Sequence, residues 1–397
     1  MTNLDRKGTR TALIVGHSAG MIDMVSLPMW VGGLMGGYGY SSAQAGGLVT
    51  TFLLGVVVAS CGLAPLFHRF SMRWVPGAGF TGAALSFAAL WMASGFEIFL
   101  ALHLCAGLCI GTALSAVHGT IGRTSNPHRT FAYATIGFGI FSVIFIVFAT
   151  QVIAATQPRN LFLIFAGVMA IAAAVNWLLF PHSAIMPKTE KTPSAKSGRV
   201  PRFEPVVWFL IAALLGMNFN QAMNFSFVER IANGHGWPAS TINGILVGVA
   251  LLSLIPAPLA VLFEKKFHPV YVGVAGVLLQ TALSLGMTHA LSIPGFAASA
   301  IFIPFVMIFS HTFLFGLLSR VEPTGRAVAA NPAITMGGGA LGPLVGGILV
   351  QTMGYQGISV ATALVAACVV GGLMLVLMRL LPSHTNDPLA VVTRHDH

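Results

Sequence analysis

The sequence predicts an all-α integral membrane protein, with twelve transmembrane helices in two pseudosymmetric six-helix bundles. Three observations predict it. Hydrophobic residues fill 56% of the 397 positions and charged residues only 8%, where an ordinary soluble domain carries about 25% charged. Twelve apolar runs reach the roughly 20 residues that a helix needs to cross a bilayer. The second half of the chain also repeats the first at one constant offset.

The composition excludes a soluble globule, which could not cover its surface with so few charges. A net charge of +10 would suggest nucleic acid in a soluble protein. In this chain the placement of the charges carries the information, and no nucleic-acid partner is expected. Four cysteines, Cys61, Cys105, Cys109 and Cys368, all lie inside apolar runs and read as small buried hydrophobes. No metal site is expected from them or from the histidines, whose spacing offers none.

The runs lie at about 11–34, 42–67, 75–94, 97–121, 130–155, 160–180, 205–231, 239–263, 269–288, 294–318, 327–352 and 357–381. The first, of about 24 residues, is longer than the apolar part of a cleavable leader and reads as a helix that stays. Most connections are short and hold Gly, Pro, Ser or Asn. One is long, basic and rich in Pro and Ser, "PHSAIMPKTEKTPSAKSGRVPRFE" at 181–204, and reads as a linker. The expected division is a bundle at 1–180, a linker at 181–204, a second bundle at 205–382 and a tail at 383–397.

Basic residues fix the orientation. Arg6, Lys7 and Arg10 precede the first span. Arg69 and Arg73 lie between spans two and three, and Arg123 and Arg129 between four and five. Lys188, Lys191, Lys196, Arg199 and Arg202 are in the linker. Lys265 and Lys266, Arg320 and Arg326, and Arg379 and Arg394 complete the set. All eighteen fall on one side of a twelve-span chain, and only Arg159 and Arg230 on the other. By the positive-inside rule both termini are expected in the cytoplasm, with the protein in the inner (plasma) membrane. One span more or fewer in the first half would scatter this pattern.

An offset of 197 residues aligns the halves. "WVPGAG" from Trp74 meets "YVGVAG" from Tyr271. Gly119, Arg123 and Arg129 meet Gly316, Arg320 and Arg326, and Gly47 meets Gly244 within "YSSAQAGGLV" and "WPASTINGIL". Chance matches would not share one register, so the halves are parallel repeats about an axis along the membrane normal.

With twelve spans, six-plus-six halves and a long basic central loop, the whole chain resembles the major facilitator superfamily of secondary transporters. Its motifs are kept in part. In loop 2–3, "APLFHRFSMR" keeps Arg69 and Arg73 but has Ala64, His68 and Ser71 where the family favours glycine, aspartate and glycine. "HLCAGLCIG" in the fourth span resembles a second family motif, with His103 in place of an arginine. "GGGALGPLVGG", Gly337–Gly347, resembles the Gly-Pro motif of drug/proton antiporters, but in the eleventh span instead of the fifth. The resemblance implies alternating access by rocking of the halves.

Asp23 is the most pointed functional signal. It lies about 18 Å into the first span, near mid-bilayer, where a charge costs on the order of 3 kcal/mol even on a lenient scale. Gly16, Ala19, Gly20 and Ser26 share its face, which allows close helix approach or room for a ligand. Its repeat mate is Asn220, in a segment that also carries Asn218, Gln221 and Asn224. Four amides cannot sensibly face lipid. The sequence therefore offers Asp23, with His103, for proton coupling, and Asn218, Asn220, Gln221 and Asn224, with Trp30 and His311, for substrate binding. The plainer reading of each histidine, His118 included, is a packed and hydrogen-bonded residue; that of the amides is interhelical packing. Arg69, Arg73, Arg320 and Arg326 are candidates for a cytoplasmic gate, or serve topology alone. Glu229 and Arg230 read as an interfacial ion pair, with an outer gate as the sharper alternative. The glycines of the eleventh span either permit bending near Pro343 or let helices pack tightly, and the terminal "RHDH" reads as a loose end.

The function expected is secondary transport of a small organic solute across the cytoplasmic membrane, by proton-coupled symport, with proton-coupled efflux of a drug or metabolite as the alternative. No cofactor beyond the proton gradient is expected, and the protein is expected to act as a monomer in the lipid bilayer. A receptor or sensor on the same scaffold would usually carry an added soluble domain. An enzyme is not expected: no nucleophile has a positioned base, and no GxxxxGK[ST] loop is present to drive pumping by ATP.

Overall fold

A computed structural model describes residues 4, 6–63, 72–181, 203–322, 327 and 331–380. Among them, twelve helices are long and apolar enough to cross a membrane, and no strand forms. They are α1 (Lys7–Tyr38), α2 (Ser42–Leu63), α3 (Met72–Met92), α4 (Phe96–Ile121), α5 (Arg129–Ala155) and α6 (Pro158–Leu179) in the first half. The second half has α7 (Pro205–Gly234), α8 (Ala239–Phe263), α9 (Pro269–Thr288), α10 (Ile293–Val321), α11 (Ile334–Met353) and α12 (Gln356–Leu380). The expected spans agree to within about a turn, except that the first is longer at both ends and the eleventh begins seven residues later than expected, at Ile334. The linker and tail expected at 181–204 and 383–397 lie almost wholly outside the described residues.

Four helices are interrupted. In α8 the break at Ser253–Ile255 precedes Pro256, and in α11 the break at Leu341 precedes Pro343. A proline ring lacks the N–H and clashes with the preceding turn, so each starts a new segment. The α7 helix turns at Phe227, and α1 breaks at Met21–Ile22 between Lys7–Gly20 and Asp23–Tyr38. At the end of α1, Gly39 takes φ +72°, a left-handed cap suited to glycine.

Each half packs about itself: α2 and α3 lie on α4, and α9 lies on α10 and α12. The halves meet along three lines, α2 with α11, α5 with α8, and α1 with α7. Under the repeat, the first two are mates of each other and the third is its own mate, as a two-fold axis requires. One residue pair makes the symmetry explicit. Gly32 of α1 and Glu229 of α7 are 197 positions apart and touch across the axis.

The α2–α11 line is closed by small residues. Ser42 Oγ donates to the Gly347 carbonyl at 2.9 Å, and the Leu344 N–H donates to Thr50 Oγ1 at 3.1 Å. A side chain at Gly46 would run into the Pro343 carbonyl, and one at Gly347 into the Ser42 backbone. Gly338, Gly342 and Gly346 press on α7 in the same way. The glycines of α11 thus serve both readings: the helix breaks beside Pro343 and packs tightly. These contacts gather toward the end of the bundle carrying loops 1–2, 5–6 and 7–8, called here the far end. The end carrying most of the basic residues is the basic end.

Candidate functional site

Asp23 opens the second segment of α1, where the positive end of the helix dipole favours an acid. It is only 6% exposed, and its Oδ1 is buried without a hydrogen-bond partner. The small face around it is used for close approach: Gly16 lies against Val117 and Asn176, and Gly20 against Leu114. Of the two readings of that face, close helix approach is the one seen here, against α4 and α6. Ser26 is likewise occupied, donating to the Ile22 carbonyl at 2.7 Å.

One pair went unforeseen. His17 Nδ1 and His118 Nε2 are 2.9 Å apart, so one ring nitrogen donates to the other. Phe131 and Phe138 pack edge-on against His17. Spacing within one helix could not reveal it, because the partners are 101 residues apart.

His103 and Trp30 meet at the centre of an aromatic cluster with Phe52, Phe87, Phe99 and Phe165. Both are fully buried. The indole N–H of Trp30 donates to His103 Nε2 at 3.2 Å, and His103 Nδ1 lies 2.8 Å from the Phe99 carbonyl. An indole can only donate and a carbonyl can only accept, which sets the neutral tautomer with its proton on Nδ1. A second proton on His103 would break the Trp30 bond. In this geometry His103 and Trp30 satisfy each other, which matches the packed and hydrogen-bonded reading of the histidine.

The α7 amides divide. Asn224 is spent on its own half: its Nδ2 donates to the Asn220 carbonyl and to Thr362 Oγ1, both at 2.8 Å, and Ser284 Oγ donates to its Oδ1. Asn220 Nδ2 reaches the Thr362 carbonyl at 3.2 Å. These bonds tie α7 to α9 and α12, so Asn224 offers a solute nothing here and the packing reading applies to it. Asn220 Oδ1 and Gln221 Oε1 are buried without a partner, and Asn218 Nδ2 bonds within its own helix to Leu214. His311 stacks on Phe315, with Nε2 buried and unpartnered.

Of the gate candidates, Arg69 and Arg326 lie outside the described residues. Arg73 sits 4.1 Å over the ring of Trp74. Arg320 shares a recess of about 40 Å³ with Glu264, Thr312 and Phe313. The neighbours of each belong to its own half.

The larger cavity, about 190 Å³, opens at the far end between the halves. The α1 helix contributes Gly32, Gly33 and Gly36, α5 Thr150 and Ile153, and α7 and α8 Glu229, Arg230, Asn233 and Asn243. Asp23 does not line it. Its position follows from an inequality between the two mated seams: small residues close α2–α11, while α5–α8 leaves space. The Glu229 carboxylate lies against Gly32, and an Arg230 guanidinium nitrogen faces Gly36. Asn233 Nδ2 is 3.5 Å from Glu229 Oε1, and Arg230 Nε is buried without a partner. Glu229 and Arg230 make no direct ion-pair contact, because their side chains lie against successive turns of α1, although the Arg230 charge still acts on the carboxylate. The sequence held one signal of this: Glu229 is the repeat mate of Gly32, so any axis running between α1 and α7 brings them together.

A family profile for the Major Facilitator Superfamily matches residues 12–330. The chain belongs to the major facilitator superfamily. Its fold is that of solved superfamily transporters. A bacterial homologue of the human lysosomal transporter Spinster, inward-facing and unoccupied, superposes with a TM-score of 0.66 at 14% identity, covering 93% of this chain and 94% of that one. The same protein in its inward-facing, occupied form gives 0.69, at 14% identity and 93% and 95% coverage. A mutant of the nucleoside transporter NupG gives 0.70 at 15% identity, covering 93% of this chain and 99% of that one. Identities this low carry the fold alone. A search of curated protein sequences returns no match. Membership makes this a multi-pass membrane transporter, in a superfamily and among structural neighbours that are not enzymes.

Proposed function

We propose that the protein moves a small organic solute across the cytoplasmic membrane by proton-coupled symport, the halves rocking about the α1–α7 axis. The basic end faces the cytoplasm. The seams at the far end are then the outer gate, closed in this conformation along α2–α11.

Asp23 is the observation that carries the reading. A mid-membrane carboxylate with an unmet oxygen costs several kilocalories in a dry helix contact. It is retained because another stage of the cycle brings it water. Asp23 holds a proton in the closed arrangement and releases it when the break at Met21–Ile22 moves α1 away from α4 and α6. Gln221, with its open acceptor, is the α7 amide best left for the solute.

The test uses proteoliposomes with and without a pH gradient, wild type beside Asp23→Asn. The wild type is expected to accumulate solute with the gradient, and the variant to exchange solute without accumulating it. Uphill accumulation by the variant would remove Asp23 from the coupling step.

A further inference from the structure

We infer that the far-end cavity is a binding site for a small zwitterion, with the solute's ammonium on Glu229 and its carboxylate on Arg230. The inference rests on the transport reading for its purpose and names the substrate class.

The argument begins with two opposite charges that share a cavity without direct contact. Glu229 faces Gly32 and Arg230 faces Gly36, one turn of α1 apart or about 6 Å along the helix. A lone anion would be drawn to Arg230 and repelled by Glu229, and a lone cation the reverse. A net-neutral solute with separated charges meets both, and it supplies the partner that buried Arg230 Nε lacks. Around the charges, Asn233, Asn243 and Thr150 offer hydrogen bonds, and Met29, Ile153 and Ile242 an apolar wall. The cavity, about 190 Å³, has room for a small organic solute. That suits a short aliphatic amino acid or a betaine.

Both halves line the cavity, so a ligand in it is released when they part. The absence of side chains at Gly32, Gly33 and Gly36 keeps it open. A methyl group at Gly32 would lie 2.8 Å from Glu229 Oε1 and drive the carboxylate into the ligand's place.

Calorimetric titration of the full chain in lipid nanodiscs tests this with matched probes. Alanine and glycine betaine carry both charges. Propionate lacks the ammonium and ethylamine lacks the carboxylate. At least one zwitterion is expected to bind, with propionate and ethylamine weaker by about tenfold or more. Glu229→Gln and Arg230→Gln are each expected to weaken the zwitterion by a similar factor. The inference is overturned if neither zwitterion binds, if a singly charged probe binds as well as alanine, or if a folded Glu229→Gln protein binds unchanged. The probe series on the wild type decides the matter even where a variant fails to fold. Zwitterion binding without gradient-driven uptake would support the site and refute the coupling scheme. Uptake of some other solute with no zwitterion binding would do the opposite.

Discussion

Replacing Gly46 by alanine is expected to open the far-end seam instead of unfolding the protein. The added methyl would meet the Pro343 carbonyl oxygen and lie 2.6 Å from its carbon, where ordinary contacts begin near 3.4 Å. Both atoms belong to the backbone and cannot rotate away, so α2 and α11 must part by about 0.8 Å or more. Overpacking of this kind costs about 1–3 kcal/mol. Separation also stretches the Ser42–Gly347 and Leu344–Thr50 hydrogen bonds, each worth about 1 kcal/mol net. The cost falls only on conformations in which the seam is shut. A penalty of about 3 kcal/mol shifts such an equilibrium by roughly a hundredfold toward the open form. Spin labels at the far ends of α2 and α11, with distances read by double electron–electron resonance, are expected to gain a longer-distance population. Gly47→Ala is the control, since its neighbour, Leu344 Cδ1, lies at an ordinary 3.6 Å. A lower melting temperature with unchanged label distances would refute the reasoning, because the seam would then be a permanent part of the fold.

Trp30→Phe leaves His103 Nε2 without its donor in a sealed core and is expected to cost about 1–3 kcal/mol, read as a lower melting temperature, with uptake still following the pH gradient. A changed response to the gradient would return His103 to the proton path. Asn224→Ala strips Ser284 and Thr362 of a shared partner and is expected to lower thermal stability by about 1–3 kcal/mol. Asn218→Ala, which loses a bond only to its own helix, is expected to do less; equal losses would show that the α7–α9–α12 network adds nothing.

The fold was legible because a bilayer writes simple rules. Every spanning backbone must bond within itself, so length and apolarity mark the helices, and Lys and Arg mark one side. A duplicated half leaves a register that a single offset exposes. The candidate site was legible only where chemistry is out of place in oil. Asp23 and the α7 amides stood out for that reason, and Asp23 is indeed buried with an unmet oxygen. His103 and Trp30 stood out equally, yet they satisfy each other. A polar residue in an apolar run announces a need for a partner and does not say whether another helix supplies it.

The sequence by itself determined the number of helices, their pairing into halves and the two-fold relation between them, since each follows from composition and period along one chain. Only the tertiary structure decided which polar groups are spent and which are free. It joined His17 to His118, closed Asn224 into its own half and turned Glu229 and Arg230 into a cavity. The reason is that hydrogen-bond saturation and empty volume belong to the spaces between helices. A difference of one side chain at each of two mated positions, glycine at 46 against asparagine at 243 and glycine at 347 against threonine at 150, sets where helices touch and where they leave room.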